Sequence, residues 1–120
     1  MSKKTVVIGA SDNPDRYAFR AVVSLSNRGH ETIPVGLKNG NILGTPILRD
    51  KPPIADVDTI TLYVGPQHQD YWKEYILSLK PKRVIFNPGT ENDEFEDQLM
   101  KNGVEVLEAC TLVMLSIGNY

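Results

Sequence analysis

Short apolar runs and segments of helical period alternate along the whole chain. The apolar runs are rich in β-branched residues and predict buried strands over 5–9, 31–35, 59–64, 83–87 and 104–107. Between them, apolar residues recur three and four positions apart, as on helices that pack against a sheet. This alternation predicts an α/β, Rossmann-like three-layer domain with a mostly parallel five-stranded sheet covered by helices on both faces.

Capping residues and helix breakers set the expected limits of the helices. The first helix is predicted to begin near Asn13 or Asp15 and to end at Gly29, which suits a left-handed C-cap. A second helix is predicted from 65–68 to just before Pro81, and a third from a capping box over 90–93 to 102–103. The sequence therefore predicts a helix after each of the first, third and fourth main strands.

The remaining segments are less regular. Residues 36–41 predict a loop, 42–54 predict irregular chain with a short edge strand at 46–48, and 110–117 predict a short helix. The apolar stripe of the second helix is expected to consist of Tyr71, Trp72, Tyr75, Ile76 and Leu79.

Composition and charge narrow the function classes. The 120 residues are 41% hydrophobic and 23% charged, so we expect one globular domain over residues 1–120. A formal net charge of −2 gives no broad positive field, so neither nucleic acid nor a membrane is expected as a partner. No apolar run suits a signal peptide or a membrane span, and the lone Cys110 excludes an internal disulfide and a multi-cysteine metal site. We expect a cytoplasmic protein without a metal centre.

Ligand-binding residues are expected in the loops that follow the strands. In an open parallel sheet, ligands bind outside the carboxyl ends of the strands, where the strand order reverses. The loop Gly9-Ala10-Ser11 joins a buried strand to a helix through small residues, which should leave backbone N–H groups uncovered for an anion. A phosphorylated ligand is therefore predicted there.

The loop lacks the dinucleotide fingerprint G-x-G-x-x-G, because Gly9 is the only glycine in 9–14. An NAD site also has an acidic residue near the end of the second strand, which binds the adenosine ribose. This sequence has no such residue there, and Lys38 lies in that region instead. A lysine suits an additional ribose phosphate. Coenzyme A and NADP both carry one, so charge alone leaves both open.

Several of these motifs together resemble one known family. They are Val7-Ile8-Gly9-Ala10-Ser11, Asn13-Pro14, Arg16, Gly29, Ile33-Pro34-Val35, Ile42-Leu43-Gly44, the run from Asn87 to Asn92, and Cys110. In this order they resemble the small stand-alone CoA-binding-domain family of bacteria. That family has a Rossmann-type fold similar to the CoA-binding domain of succinyl-CoA synthetase, so the resemblance implies coenzyme A as ligand.

The resemblance also implies roles for individual residues. Gly9, Ala10 and Ser11 would approach the diphosphate, Arg16 and Lys38 are candidate phosphate partners, and Val35 and Val64 would line the adenosine. The predicted cofactor-binding residues are Gly9, Ala10, Ser11, Asn13, Arg16, Val35, Gly36, Lys38, Val64, Pro88 and Gly89.

Three functions remain open: a binding module, an oxidoreductase, and a purely structural partner subunit that has lost ligand binding. The first is a binding module for coenzyme A or an acyl-CoA, since no Ser/His/Asp set, no cysteine with a general base and no paired carboxylates are recognisable near the loops. The alternative is an NADP-dependent oxidoreductase or its cofactor-binding subunit, with Tyr63 or His68 as proton donor. A homodimer through the apolar segment ending at Ile117, or a partner enzyme, is a further expectation.

Overall fold

The computed structural model describes residues 2–120. The strands are β1 Thr5–Ile8, β2 Thr32–Val35, β3 Asn41–Ile42, β4 Thr45–Pro46, β5 Thr59–Leu62, β6 Arg83–Phe86 and β7 Glu105–Glu108. The helices are α1 Tyr17–Asn27, α2 Asp70–Ser78, α3 Asp93–Lys101 and α4 Thr111–Ser116. A 3-10 turn, Pro66–His68, precedes α2.

Five strands form one parallel sheet in the order β2-β1-β5-β6-β7, and every pairing in it is parallel. The side chains of β1, β5 and β6 are buried on both faces, as their β-branched composition predicts. One face packs against apolar residues of α2 and α3, and the other against those of α1 and α4. The predicted Rossmann-like three-layer architecture is confirmed.

Two expectations about the region between β1 and β5 are wrong. Helix α1 begins at Tyr17, because the Asn13 side-chain oxygen accepts a hydrogen bond from the Asp15 amide at 3.0 Å and forms a turn instead of a cap. The segment 36–54 contains the antiparallel hairpin β3–β4, and the expected edge strand is reduced to a parallel bridge between Leu48 and Val35.

Two details of the helices also differ from expectation. Tyr71 is 53% exposed, whereas the other four residues of the predicted stripe are buried. The N-cap of α3 is Asn92 rather than Thr90, and its side-chain oxygen accepts from the Phe95 amide at 3.2 Å. No helix within residues 2–120 is both long and apolar enough to cross a bilayer.

The strand order places a topological switch point between β1 and β5. From β1 the chain passes to β2 on one side, and β5 then pairs with β1 on the other side. The crossovers diverge there and leave a crevice at the carboxyl ends of the strands. Residues 9–12 and 63–65 border this crevice.

Candidate functional site

A cleft of about 1250 Å³ opens at the carboxyl ends of the strands. The loops that follow β2, β1, β5 and β6 line it, and these four strands are neighbours in that order. Three strand spacings of about 4.8 Å each give the cleft a length of about 14 Å, which suits an extended ligand. The predicted residues on its wall are Gly9, Ala10, Ser11, Arg16, Lys38, Val64, Pro88 and Gly89.

The β1 loop is held tightly to both neighbouring strands. Gly9 has a φ of +90°, and a β-carbon built on it would stand 2.8 Å from the carbonyl oxygen of Tyr63. The amides of Gly9 and Ala10 both donate to the carbonyl oxygen of Val35, each at 3.0 Å. The expectation that these two amides are uncovered is therefore wrong, because they fasten the loop to β2.

The free donors lie further along the chain. The amides of Ser11 and Asp12 have no hydrogen-bond acceptor within the described chain. Arg16, the N-cap of α1, makes no side-chain cap, and no acidic residue stands in the first turn. The amides of Tyr17 and Ala18 at the cleft wall are thus also without acceptors in residues 2–120. Together these groups form an edge of main-chain donors without acceptors.

Two cations flank this edge. Arg16 and Lys38 are exposed, and neither forms an ion pair with the residues that the structure describes. The carboxylates of Asp12 and Asp70 are on the same wall, but Asp70 lies 2.8 Å from Lys73. Asp12 has no ion-pair partner within residues 2–120, so this wall carries two unpaired cations and one unpaired carboxylate. The excess of positive charge beside amides without acceptors favours a phosphorylated ligand.

Three predicted residues do not line the cleft. The side chain of Val35 is fully buried, and its main chain anchors the β1 loop. Gly36 lies beneath that loop, where a β-carbon would stand 2.7 Å from the carbonyl oxygen of Ala10. Asn13 is exposed in the turn before α1. Cofactor contact by any of these residues stays a prediction.

Two buried amide side chains, for which the sequence predicted no structural role, support the cleft. Gln69 is fully buried and donates to the carbonyl oxygens of Val64 at 2.9 Å and Thr90 at 2.6 Å. Asn87 donates to the Thr61 hydroxyl and the Leu62 carbonyl oxygen, and the Thr111 amide donates to its Oδ1. Asn87 could have been predicted as a structural residue because it is a polar residue directly after a buried strand. Nothing in the sequence around Gln69 distinguishes it from an exposed polar residue.

The two suggested proton donors both line the cleft. The Tyr63 hydroxyl is buried and has no hydrogen-bond partner in residues 2–120. Burial raises the pKa of Tyr63 far above its ordinary value. A tyrosine with a raised pKa is a weaker acid than an ordinary tyrosine, which disfavours Tyr63 as the proton donor of an oxidoreductase. His68 is exposed at the end of the 3-10 turn.

Comparisons with known proteins agree with this architecture. A family model described as CoA binding domain matches residues 3–116. The chain is similar to a solved structure described as an uncharacterized protein, with 54% identity and a TM-score of 0.98 over 100% of this chain and 99% of the other. No curated protein matches.

Two archaeal structures are also similar. A conserved hypothetical protein from Pyrococcus furiosus is 30% identical, with a TM-score of 0.81 over 92% of this chain and 97% of the other. A hypothetical protein from Pyrococcus horikoshii OT3 is 24% identical, with a TM-score of 0.84 over 97% and 83% of the two chains, and this likeness shows the fold alone.

Proposed function

Because the chain belongs to the CoA binding domain family, we propose that it is a binding module that holds coenzyme A or an acyl-CoA across this cleft. The unbonded amides of Ser11, Asp12, Tyr17 and Ala18 beside Arg16 are the observation that carries the proposal. We assign no reaction to the protein.

The diphosphate of the ligand is proposed to lie on this edge. Each charge-assisted hydrogen bond contributes about 1.5 to 3 kcal/mol, and the end of a helix adds about 0.3 to 1 kcal/mol. Three such bonds exceed 4 kcal/mol, roughly half of the free energy of micromolar binding. Ser11 and Arg16 keep the roles that the family resemblance implies, whereas Gly9 and Ala10 contribute by shaping the loop.

The adenosine with its 3′-phosphate is proposed to lie toward the β2 side. Leu37, Lys38 and Ile47 line that end of the cleft, and they offer apolar surface next to one cation. Leu37 is 66% exposed, so a bound adenine would cover apolar area that now faces water. The ribose phosphate would then lie within reach of the flexible lysine side chain.

A ligand panel measured by thermal shift and calorimetry tests the proposal. CoA at about 100 times its dissociation constant should add about 2.7 kcal/mol to the free energy of unfolding, a shift of several degrees in Tm. Dephospho-CoA, NAD and ATP should bind more weakly. A shift with NADP and none with CoA would replace this proposal with the oxidoreductase, and no shift with either would end both.

A further inference from the structure

The side chain of Gln69 joins two loops that are far apart in sequence. Its Nε2 donates to the carbonyl oxygens of Val64 and Thr90, and its Oε1 accepts from Asn92 Nδ2 at 3.0 Å. The side chain is fully buried, and its bond to Thr90 is buried, whereas its bonds to Val64 and Asn92 are partly buried. Within the described chain, no backbone hydrogen bond joins 63–69 to 88–92.

These two loops form the end of the cleft opposite Lys38. Val64 and Gly65 follow β5, Pro88 and Gly89 follow β6, and all four line the cleft. Both loops carry residues that permit close approach of a ligand. The pairing of β5 with β6 ends at Leu62 and Phe86, so it does not fix the distance between the loops that follow. The hydrogen bonds of Gln69 supply that constraint.

We infer that Gln69 is a positioning residue, which sets the width of the cleft between these loops and so determines affinity for the non-nucleotide arm of the ligand. This inference rests on the proposed function. With the 3′-phosphate near Lys38 and the diphosphate on the β1–α1 edge, the pantetheine arm has to extend toward the β5 and β6 loops. Its amides and its thiol or thioester would lie between Val64 and Gly89.

The physical reason is that removal of the Gln69 amide leaves two carbonyl oxygens without a donor. Buried carbonyl groups without a partner are unfavourable, so the loops should separate until water reaches them. The edge formed by Ser11, Asp12 and α1 shares no hydrogen bond with Gln69, and the Gly9 and Ala10 amides fasten the β1 loop to Val35. The phosphate positions should therefore change less than the gap between the β5 and β6 loops.

The test compares two ligands on Gln69→Met, which keeps the side-chain length and removes the donors. One ligand is CoA, and the other is adenosine 3′-phosphate 5′-diphosphate, which lacks the pantetheine arm. We expect the dissociation constant for CoA to rise at least tenfold and that for the nucleotide to change less than threefold. Equal losses for both ligands, or no loss for either, would overturn the inference.

A second variant covers the case in which Gln69→Met does not fold. Asn92→Asp keeps an acceptor for the N-terminus of α3 but removes the donor that orients Gln69 Oε1. It should weaken CoA binding selectively, by a smaller factor, and equal weakening of both ligands would contradict the inference. The matched control is Gln98→Met on the exposed face of α3, which should leave both affinities unchanged. If CoA fails to bind the unmodified chain, the proposed function falls as well.

Discussion

The α-carbon of Gly9 lies so close to the carbonyl group of Tyr63 that a β-carbon there would approach the oxygen to 2.8 Å. The two residues follow adjacent parallel strands at the switch point, and the Tyr63 amide donates to Ile8 at 2.9 Å. Neither the Gly9 nor the Tyr63 main chain can move away without breaking the hydrogen bonds between β1 and β5. The β1 loop therefore requires glycine for space as well as for its φ of +90°.

Substitution Gly9→Ala should destabilise the protein by about 2 to 5 kcal/mol. The left-handed conformation accounts for about 1 to 2 kcal/mol, and the forced contact with a main-chain oxygen for about 1 to 3 kcal/mol. Denaturant unfolding measures the loss. CoA binding by the folded fraction should also weaken, because the displaced loop carries the Ser11 and Asp12 amides.

Gly29→Ala is the matched control for this prediction. Gly29 has a similar φ of +83°, but nothing lies within 4 Å of a β-carbon built on it. The expected loss is the conformational part alone, about 1 to 2 kcal/mol, with CoA binding unchanged. If both alanine variants lose the same free energy of unfolding, the close approach of Gly9 to Tyr63 adds nothing to the cost of the substitution.

Lys38→Gln should reduce the preference for CoA over dephospho-CoA about 1.5- to 5-fold, the range for a solvent-exposed ion pair. The two ligands differ only in the 3′-phosphate, so the ratio of their dissociation constants isolates that contact. Calorimetry at low and high salt should show the ratio falling with ionic strength in the unmodified protein. Lys101→Gln changes the net charge equally at a distant site on α3 and should leave the ratio unchanged. If Lys38→Gln weakens the binding of CoA and dephospho-CoA equally, Lys38 does not contact the 3′-phosphate.

Asn87→Leu should destabilise the protein by about 2 to 4 kcal/mol, because it leaves the buried Leu62 carbonyl oxygen and Thr111 amide without their partners. For a domain of this size, that loss lowers Tm by about 8 to 16 °C. Asn102→Leu is the comparison, since Asn102 is exposed and donates only to the Gln98 carbonyl oxygen. A loss of the same size in both variants would mean that burial of the Asn87 network is unimportant.

The sheet could be predicted from sequence because its strands are short runs rich in apolar and β-branched residues, and glycine or proline follows four of the five within three residues. The start of α1 could not, because Asn13 is a good cap by residue type and its side chain instead closes a local turn with Asp15. The hairpin β3–β4 has two residues in each strand, too few for any alternation to show.

The position of the candidate site was predictable, whereas its donors were not. Gly9 marks the loop because of its place after a buried strand. Which amides stay free depends on Val35, whose carbonyl oxygen reaches Gly9 and Ala10 only when β2 is paired with β1. The two acceptors of Gln69 Nε2 are likewise main-chain oxygens, five and 21 positions away, and a main-chain oxygen cannot be recognised from residue type.

The stability of the protein should depend on the ionisation of Glu96. Its side chain is only 8% exposed, and its carboxylate lies within 4.8 Å of those of Asp93 and Glu108. Burial, followed by the neighbouring carboxylate of Glu108, raises the pKa of Glu96 above its ordinary value of 4.5. The folded state therefore binds more protons than the unfolded state as pH rises from 4.5, and the free energy of unfolding falls across that window.

Glu96→Gln should accordingly raise Tm at pH 8 and have a smaller effect at pH 4, where the unmodified carboxyl is already protonated. The amide oxygen can still accept the hydrogen bond that the Asn92 amide donates to Glu96 at 2.9 Å, so the start of α3 should be preserved. Glu74→Gln, at an exposed position of α2, makes the same chemical change and should shift Tm little at either pH. A Tm for Glu96→Gln that is lower than that of the unmodified protein at both pH values would show that the carboxylate stabilises the fold, opposite to the direction of its pKa.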